Sequence, residues 1–465
     1  MATVPLPAHR DVPVVVLGLG RSGLAAAEAL AAAGARVQVW DDNPEPRRAA
    51  ADRGFTVTAP DAVAWDATHR LVMSPGIPLT HPEPHPAVRH ARAHGVPVTC
   101  DVELLWEARP EATFVGVTGT NGKSTTTALI GHLLTAAGRR VAVGGNLGRP
   151  ALTLDPLGAG DVYVLELSSY QLDLLDRAVM DVAVLTTITP DHLDRHGGME
   201  GYVTAKRRIF RGGARPQTFV VGTDDPYSTA IAEDLAPGGS HRLERISGHH
   251  AEPGGVAVVD GVLTDHGAAA ADLTDVATLP GPHNGQNAAA AWAAARALDA
   301  PRDTLAAALK QFPGLAHRQE MVDTVDGVLF VNDSKATNAE AAATAVACYD
   351  GVYWIGGGRP KEGGLEALRP WFGHIRRAFL IGEAEGDFAA VLANAGVPAE
   401  RCGDLATAVD HAHAAARADT RSRPVVLLSP ACASFDQYSD FAARGDAFRA
   451  RVTALPGHHA EREAS

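Results

Sequence analysis

Apolar residues along this chain gather into short runs of strand length, and most runs end abruptly in glycine, serine, threonine or asparagine. Runs at 12–17, 113–117, 140–143, 161–167, 182–187, 328–331, 351–355, 378–381 and 425–428 are rich in valine, leucine and isoleucine, and a shorter one covers 36–40. Such near-continuous runs are the pattern of strands buried on both faces, as in parallel sheets. Helix-compatible stretches separate them: an alanine-rich segment after Gly23, then 102–106, 126–134, 201–210 and a long alanine-rich segment ending near Leu298. The alternation predicts an α/β chain with mostly parallel sheets. Residues 235–275 carry no motif and read as weak strands with loops. The breaker Pro110 and the KQFPGL stretch at 310–315 divide the chain into three expected domains, 1–107, 108–311 and 312–465. The expected order is a Rossmann-like N-terminal domain, a central P-loop mononucleotide-binding α/β domain and a C-terminal Rossmann-like α/β domain.

The strongest chemical signal follows the run at 113–117. Thr118-Gly119-Thr120-Asn121-Gly122-Lys123-Ser124-Thr125 leads into a helix-compatible stretch, so strand, glycine-rich loop and helix N-terminus follow in order. Backbone N–H groups of such a loop converge on an anion, and the helix dipole adds to the field. Lys123 suits the β/γ-phosphates of a nucleoside triphosphate and the Ser124 hydroxyl a bound Mg²⁺. The spacing is GxxGxxGKS from Gly116, Gly119 and Gly122, not the strict Walker pattern, which asks for glycine at Val117. Glu166 lies near the end of the apolar run DVYVLEL, and a carboxylate there needs a partner, for which Mg²⁺ is the natural choice beside a phosphate loop. His192 stands where the run at 182–187 leaves the core, at the same expected sheet edge. Lys206 lies in the helical stretch as Lys-Arg-Arg, a motif that also suits a solvated basic face. Asn284 and Asn287 are three apart and share a helix face, placed to hydrogen-bond one planar ligand.

A second glycine loop, Gly18-Leu19-Gly20-Arg21-Ser22-Gly23, follows the first strand, and Asp41-Asp42 end the next one. Taken alone this predicts a dinucleotide enzyme, but the same loop holds any pyrophosphate-bearing nucleotide. The Ser74-Pro75-Gly76 turn belongs to the same kind of strand edge, where ligands of open sheets gather.

Composition narrows the function further. The 465 residues carry a net charge of −13, which disfavours nucleic acid or an anionic membrane as partner. No apolar run reaches membrane-spanning length, and the first residues lack a basic segment followed by an apolar core, so a cytoplasmic protein is expected. The four cysteines are scattered without a CxxC pair, which argues against a disulfide framework or a zinc cluster. His249-His250 and His458-His459 read as solvated rather than metal-bound. Of 41 basic residues only five are lysine, Lys123, Lys206, Lys310, Lys335 and Lys361, so a retained lysine points to a place where guanidinium will not serve.

Taken together, TGTNGKST, ELSSYQL, TPDHLDRH, HNGQN, LAHR, NDSKATN and LSPACASFDQYSDFAARG, in this order, resemble the motifs of the Mur ligases over essentially the whole chain. The C-terminal string and the SPGIP loop closely resemble the members that add D-glutamate to UDP-N-acetylmuramoyl-L-alanine through an acyl phosphate, a cytoplasmic step of peptidoglycan precursor synthesis. It implies that Gly119, Thr120, Asn121, Gly122, Lys123, Ser124 and Thr125 hold the phosphates of ATP. Asn284 and Asn287 would face adenine, Asp333 the ribose, and Arg318 and Lys335 the phosphates. Lys123, Glu166, His192 and Lys206 would be catalytic, with two Mg²⁺ sites, one at Ser124 and Glu166 and one at His192 and Lys206, the latter lysine carbamylated by CO₂. Gly20, Arg21, Ser22, Asp41, Asp42, Ser74, Asn146, Ser168 and Gln171 would surround the UDP-sugar. Thr337, Lys361, Ser434, Phe435 and Phe441 would receive glutamate. Small-molecule substrates alone and a monomer are expected, and so is domain closure during the reaction, since the glutamate-side residues lie on a different domain from the phosphate loop. A related ligase for another amino acid, or folylpolyglutamate synthase, shares the phosphate loop but not the Lys361 and Ser434 segments. A nicotinamide-dependent dehydrogenase would leave Lys123 and Glu166 unexplained, and an inactive scaffold would leave every catalytic position filled for no purpose.

Overall fold

The computed structural model describes residues 4–235, 241–276, 278–361, 363–419 and 423–456; the His458-His459 pair lies outside them. By compactness the chain forms two units, Met1–Val276 with Pro282–Phe312, and Ala277–Gly281 with Pro313–Ser465. The described residues build three sheets, two in the first unit and one in the second.

The first sheet is parallel, in the order Thr56–Val57, Arg36–Trp40, Pro13–Leu17, Arg70–Met73, Val98–Thr99. Its central strand is buried almost throughout, and Arg21–Ala32 packs its alanine face against it. The second sheet has nine strands. Val141–Gly145, Val162–Glu166, Thr113–Thr118, Val182–Leu185, Gln217–Gly222 and His241–Ser247 run parallel in that order. Val162–Glu166 is buried at all five positions, as its unbroken apolar run predicts. The motif-free stretch 235–275 extends the sheet with Val256–Val259, which is parallel to its neighbour, and then the antiparallel strands Val262–Asp265 and Ala268–Asp272.

The alanine-rich helix Pro282–Ala297 is buried continuously from Asn284 to Ala295. A helix apolar all round has to be enclosed. Alanine lets it press between the helix Lys123–Ala136 and the strands Gln217–Gly222, His241–Ser247 and Val256–Val259. Larger side chains there would cost about 1–3 kcal/mol each in overpacking.

The second unit carries one sheet in the order Glu320–Val325, Val328–Asn332, Val425–Leu428, Val352–Gly357, Ile375–Ile381, Ala399–Gly403. All pairs are parallel except the first, an antiparallel hairpin. Among the described residues no helix is long and apolar enough to cross a membrane.

Candidate active site

The phosphate loop sits at the C-terminal end of Thr113–Thr118, an inner strand third from one edge of the nine-stranded sheet. The helix begins at Lys123, a turn earlier than the sequence pattern suggests, so Lys123, Ser124 and Thr125 all stand in its first turn. Gly122 caps it in the left-handed conformation, φ 81°, where a Cβ would lie 2.3 Å from Asn287 Oδ1. At Gly119 a Cβ would lie 1.9 Å from Thr186 Oγ1. Only glycine fits either place. Thr186 Oγ1 donates to the Asn121 carbonyl at 2.6 Å, and Thr120 N donates to Thr187 O at 2.6 Å, so the next strand end fixes the loop from below. Lys123 Nζ folds back onto the carbonyls of Gly119 (3.0 Å) and Thr120 (2.7 Å).

Glu166 ends the neighbouring strand, in register with Val117, and is buried. Ser124 Oγ donates to its Oε2 at 2.5 Å and Asn146 Nδ2 to its Oε1 at 2.6 Å. The partners demanded by the buried carboxylate are therefore a hydroxyl and an amide, and with them the site offers the hard oxygen donors that Mg²⁺ takes. This donor set fits the metal.

Lys206 does not belong to a solvated basic face. It is 1% exposed on the helix Met199–Arg207, while Arg207 and Arg208 face solvent. Its Nζ donates to Gly119 O at 2.7 Å and lies 4.6 Å from the centre of the Tyr202 ring. Burial, reinforced by the charge of Lys123, holds this amine well below the usual lysine range. Tyr202 was not singled out in the sequence, although it stands four residues before Lys206, one helical turn away. Its hydroxyl hydrogen-bonds Thr120 Oγ1 at 3.0 Å. His192 adopts φ 51° at the start of Leu193–His196, about half exposed, and burial with the cations Lys123 and Lys206 lowers its pKa. Lys123, Ser124, Glu166, His192 and Lys206 thus belong to one strand-end cluster.

Asn284 and Asn287 do share a face, but much of their capacity is used internally. Asn287 Nδ2 donates to Asn284 Oδ1 at 3.0 Å, and Asn287 Oδ1 accepts from Thr126 Oγ1 at 3.1 Å. Asn287 therefore bolts the alanine-rich helix to the phosphate-loop helix.

Of the residues expected around a UDP-sugar, Gly20, Arg21, Ser22, Asp41, Asp42 and Ser74 follow strand ends of the first sheet, whereas Asn146, Ser168 and Gln171 follow strands of the second. Asp41 accepts from Leu19 N (2.7 Å) and Asn43 N (2.9 Å), which shapes the Gly20, Arg21, Ser22 turn. Asp42 instead pairs with His85 at 3.1 Å and accepts from Trp40 Nε1. Ser74 Oγ donates to Gly18 O at 2.9 Å, and Arg21 donates to the Gly148 carbonyl, two residues beyond Asn146. Ser168 and Gln171 form a capping box on Ser169–Leu174, so local structure accounts for that pair.

In the second unit, Asp333 follows the strand Val328–Asn332 and is buried. It accepts from Ser429 Oγ (2.8 Å) and Gln319 N (3.2 Å), and burial pushes its carboxyl up to about 7. Arg318 precedes Gln319 in the same loop. Lys335 Nζ lies 3.9 Å from the centre of the Phe441 ring, and Thr337 N donates to Lys335 O. Ser434 is buried, whereas Lys361 and Phe435 are exposed. The residue that binds these segments together, Arg444, carried no assignment in the sequence. Its guanidinium, 1% exposed, donates to Ser334 Oγ, Ser334 O and Cys432 O, and burial lowers its pKa to about 10. Its only sequence signal is an arginine just inside a helix capped by Asp440.

Residues 117–295 match the Mur ligase middle domain and residues 12–100 the Mur ligase MurD-like N-terminal domain. The chain is 51% identical over 463 residues to the UDP-N-acetylmuramoylalanine–D-glutamate ligase of Rhodospirillum rubrum, covering 97% of this chain and 96% of that one. It is 49% identical to the enzyme of the same name from Caulobacter sp. strain K31, covering 97% and 98%. Among solved structures, the UDP-N-acetylmuramate-alanine ligase MurC of Thermotoga maritima is similar in fold, with a TM-score of 0.59 at 17% identity, covering 95% of this chain and 99% of that one. MurF of Acinetobacter baumannii gives 0.53 at 20% identity, covering 71% and 76%.

Proposed function

This chain belongs to the Mur ligase family, and we propose that it is an ATP-dependent ligase that joins D-glutamate to UDP-N-acetylmuramoyl-L-alanine in peptidoglycan precursor synthesis. The observation that carries this reading is the Ser124–Glu166 pair beside Lys123, at the mouth of the glycine loop and next to a buried lysine. A carboxylate is a poor electrophile. Transfer of the terminal phosphoryl of ATP to the alanine carboxylate gives an acyl phosphate, and attack by the glutamate amine then expels phosphate. Two anions have to approach each other, so positioning and charge neutralisation provide most of the rate.

In this reading Gly119 to Thr125 bind the phosphates and Lys123 orients the terminal one. Ser124 and Glu166 hold one Mg²⁺, and His192 with carbamylated Lys206 a second; the metal supplies charge neutralisation on the phosphoryl oxygens. Lys206 suits that modification because burial and the nearby Lys123 charge lower its pKa and so favour the free amine that reacts. The nitrogen lone pair bonds to the carbon of CO₂, the nitrogen loses one proton, and a carbamate anion stands where the free amine was. Asn284 and Asn287 flank adenine, Asp333 binds the ribose, and Arg318 and Lys335 the phosphates. Gly20, Arg21, Ser22, Asp41, Asp42, Ser74, Asn146, Ser168 and Gln171 belong to the UDP-sugar side. Thr337, Lys361, Ser434, Phe435 and Phe441 receive the two carboxylates of glutamate, for which fixed donors and a cation are needed. The division 1–107, 108–311 and 312–465, a monomer, closure of the domains on substrate, and action in the cytoplasm belong to the same reading.

Phosphate release tests it, with ATP, Mg²⁺, the UDP-muramoyl substrate and D-glutamate present and each omitted in turn. Release should require all of them and fall sharply with L-glutamate; no release from the complete mixture overturns the proposal. Lys206→Arg, which keeps a long basic side chain and removes the free amine, should abolish most activity.

A further inference from the structure

The far edge of the second unit's sheet carries a cluster that the ligase chemistry does not use. Ala399–Gly403 is the edge strand, and Glu400 and Cys402, two residues apart, project from one of its faces. The helix Leu405–Arg417 packs on that strand and delivers His411. His411 Nδ1 lies 2.5 Å from Glu400 Oε1, and one donor atom from each of Glu400, Cys402 and His411 lies within 4.8 Å of the others. Arg377, on the adjacent strand Ile375–Ile381, donates to Glu400 Oε2 at 2.6 Å and so turns the other oxygen toward the imidazole. A second group that orients a donor in this way is characteristic of metal sites.

A thiol, an imidazole and a carboxylate are the donors of a borderline-soft ion. Mg²⁺ and Ca²⁺ take oxygen instead. A tetrahedral zinc with bonds of about 2.0–2.3 Å sets its donors roughly 3.3–3.8 Å apart. The imidazole and carboxylate have to separate by about 1 Å, and the sulfur, within 4.8 Å of both, to approach by no more than about 1 Å. Both movements are open to side chains at a sheet edge, where His411 is 50% exposed.

We propose that Glu400, Cys402 and His411 form a binding site for a borderline-soft divalent cation, zinc foremost, which ties the edge strand to the helix Leu405–Arg417. The fourth position faces solvent. An ion bound only by the folded chain raises its stability by mass action and covers part of an open sheet edge.

The test uses the full-length protein, reduced and stripped with a chelator, then titrated with Co²⁺ in excess Mg²⁺. A thiolate-to-cobalt charge-transfer band should saturate at one equivalent and disappear when Zn²⁺ is added. Cys402→Ser should abolish the band while leaving phosphate release intact, and Cys348→Ser should leave the band unchanged. His411→Ala should weaken Zn²⁺ binding at least about tenfold. Zn²⁺ should raise the melting temperature of the native chain and not of Cys402→Ser. Absence of the band, its survival in Cys402→Ser, or unchanged Zn²⁺ affinity in His411→Ala overturns the proposal.

Discussion

The loops Gly18–Gly23 and Gly119–Ser124 both join a buried parallel strand to a helix N-terminus, and both are glycine-rich, yet they are equipped for different work. In the first, the helix opens with the exposed Arg21, which reaches across to the Gly148 carbonyl, and Asp41 at the next strand end is spent on Leu19 N and Asn43 N. In the second, the helix opens with Lys123, folded onto the loop's own carbonyls, and the neighbouring strand ends in Glu166, clasped by Ser124. Glycine sets the backbone path in each case. The first residue of the helix and the last residue of the neighbouring strand decide the chemistry: a polar cradle in one loop, a cation and a metal-type carboxylate in the other. A dehydrogenase reading rests on the first loop alone and fails on this contrast.

The contrast breaks most visibly at the two cations. Lys123→Ala should lower turnover by about 10²–10³-fold, the usual cost of losing a group aimed at developing charge. Arg21→Ala should act mainly on KM for the UDP-linked substrate. Steady-state phosphate release measures both, and equal losses of turnover would erase the distinction. Backbone effects come next. Gly122→Ala forces a Cβ against Asn287 at φ 81° and should cost about 1–3 kcal/mol in denaturant unfolding. Gly20→Ala, with nothing within 4 Å, should stay within about 0.5 kcal/mol.

A pH-dependent effect concerns the join between the two regions. Asp101, buried at the start of Asp101–Ala108, accepts from Ala151 N at 3.3 Å, and burial pushes its carboxyl up to about 6. Between the ordinary carboxylate range and pH 6 the folded chain binds more protons than the unfolded one, so stability falls as pH rises through that window. The loss should be on the order of 1–3 kcal/mol, and Asp101→Asn should flatten it, as read from denaturant midpoints against pH.

Much of this was legible in the residues. The strand at 113–118, its glycine loop and Glu166 at the end of an apolar run are local patterns, and local patterns survive without knowledge of the fold. Asn287 shows where legibility stops. Its helical spacing to Asn284 is plain, but its bond to Thr126 spans 161 positions and turns an expected ligand contact partly into a brace. Lys206 is similar, since Lys-Arg-Arg suits a solvated face as well as a buried amine. Tyr202 and Arg444 carry little signal in the chain itself, because aromatic and arginine residues in helices are common, and only their enclosure sets them apart.

The linear order of residues settled the α/β alternation, the triphosphate loop and the kinship with the Mur ligases, because periodicity and motif spacing act over a few positions. Folding in space settled which lysine loses its water, which asparagine becomes a brace, and that one thiol, one imidazole and one carboxylate meet at a sheet edge. Burial and charge interaction depend on distance in space, and chain separation does not encode that distance.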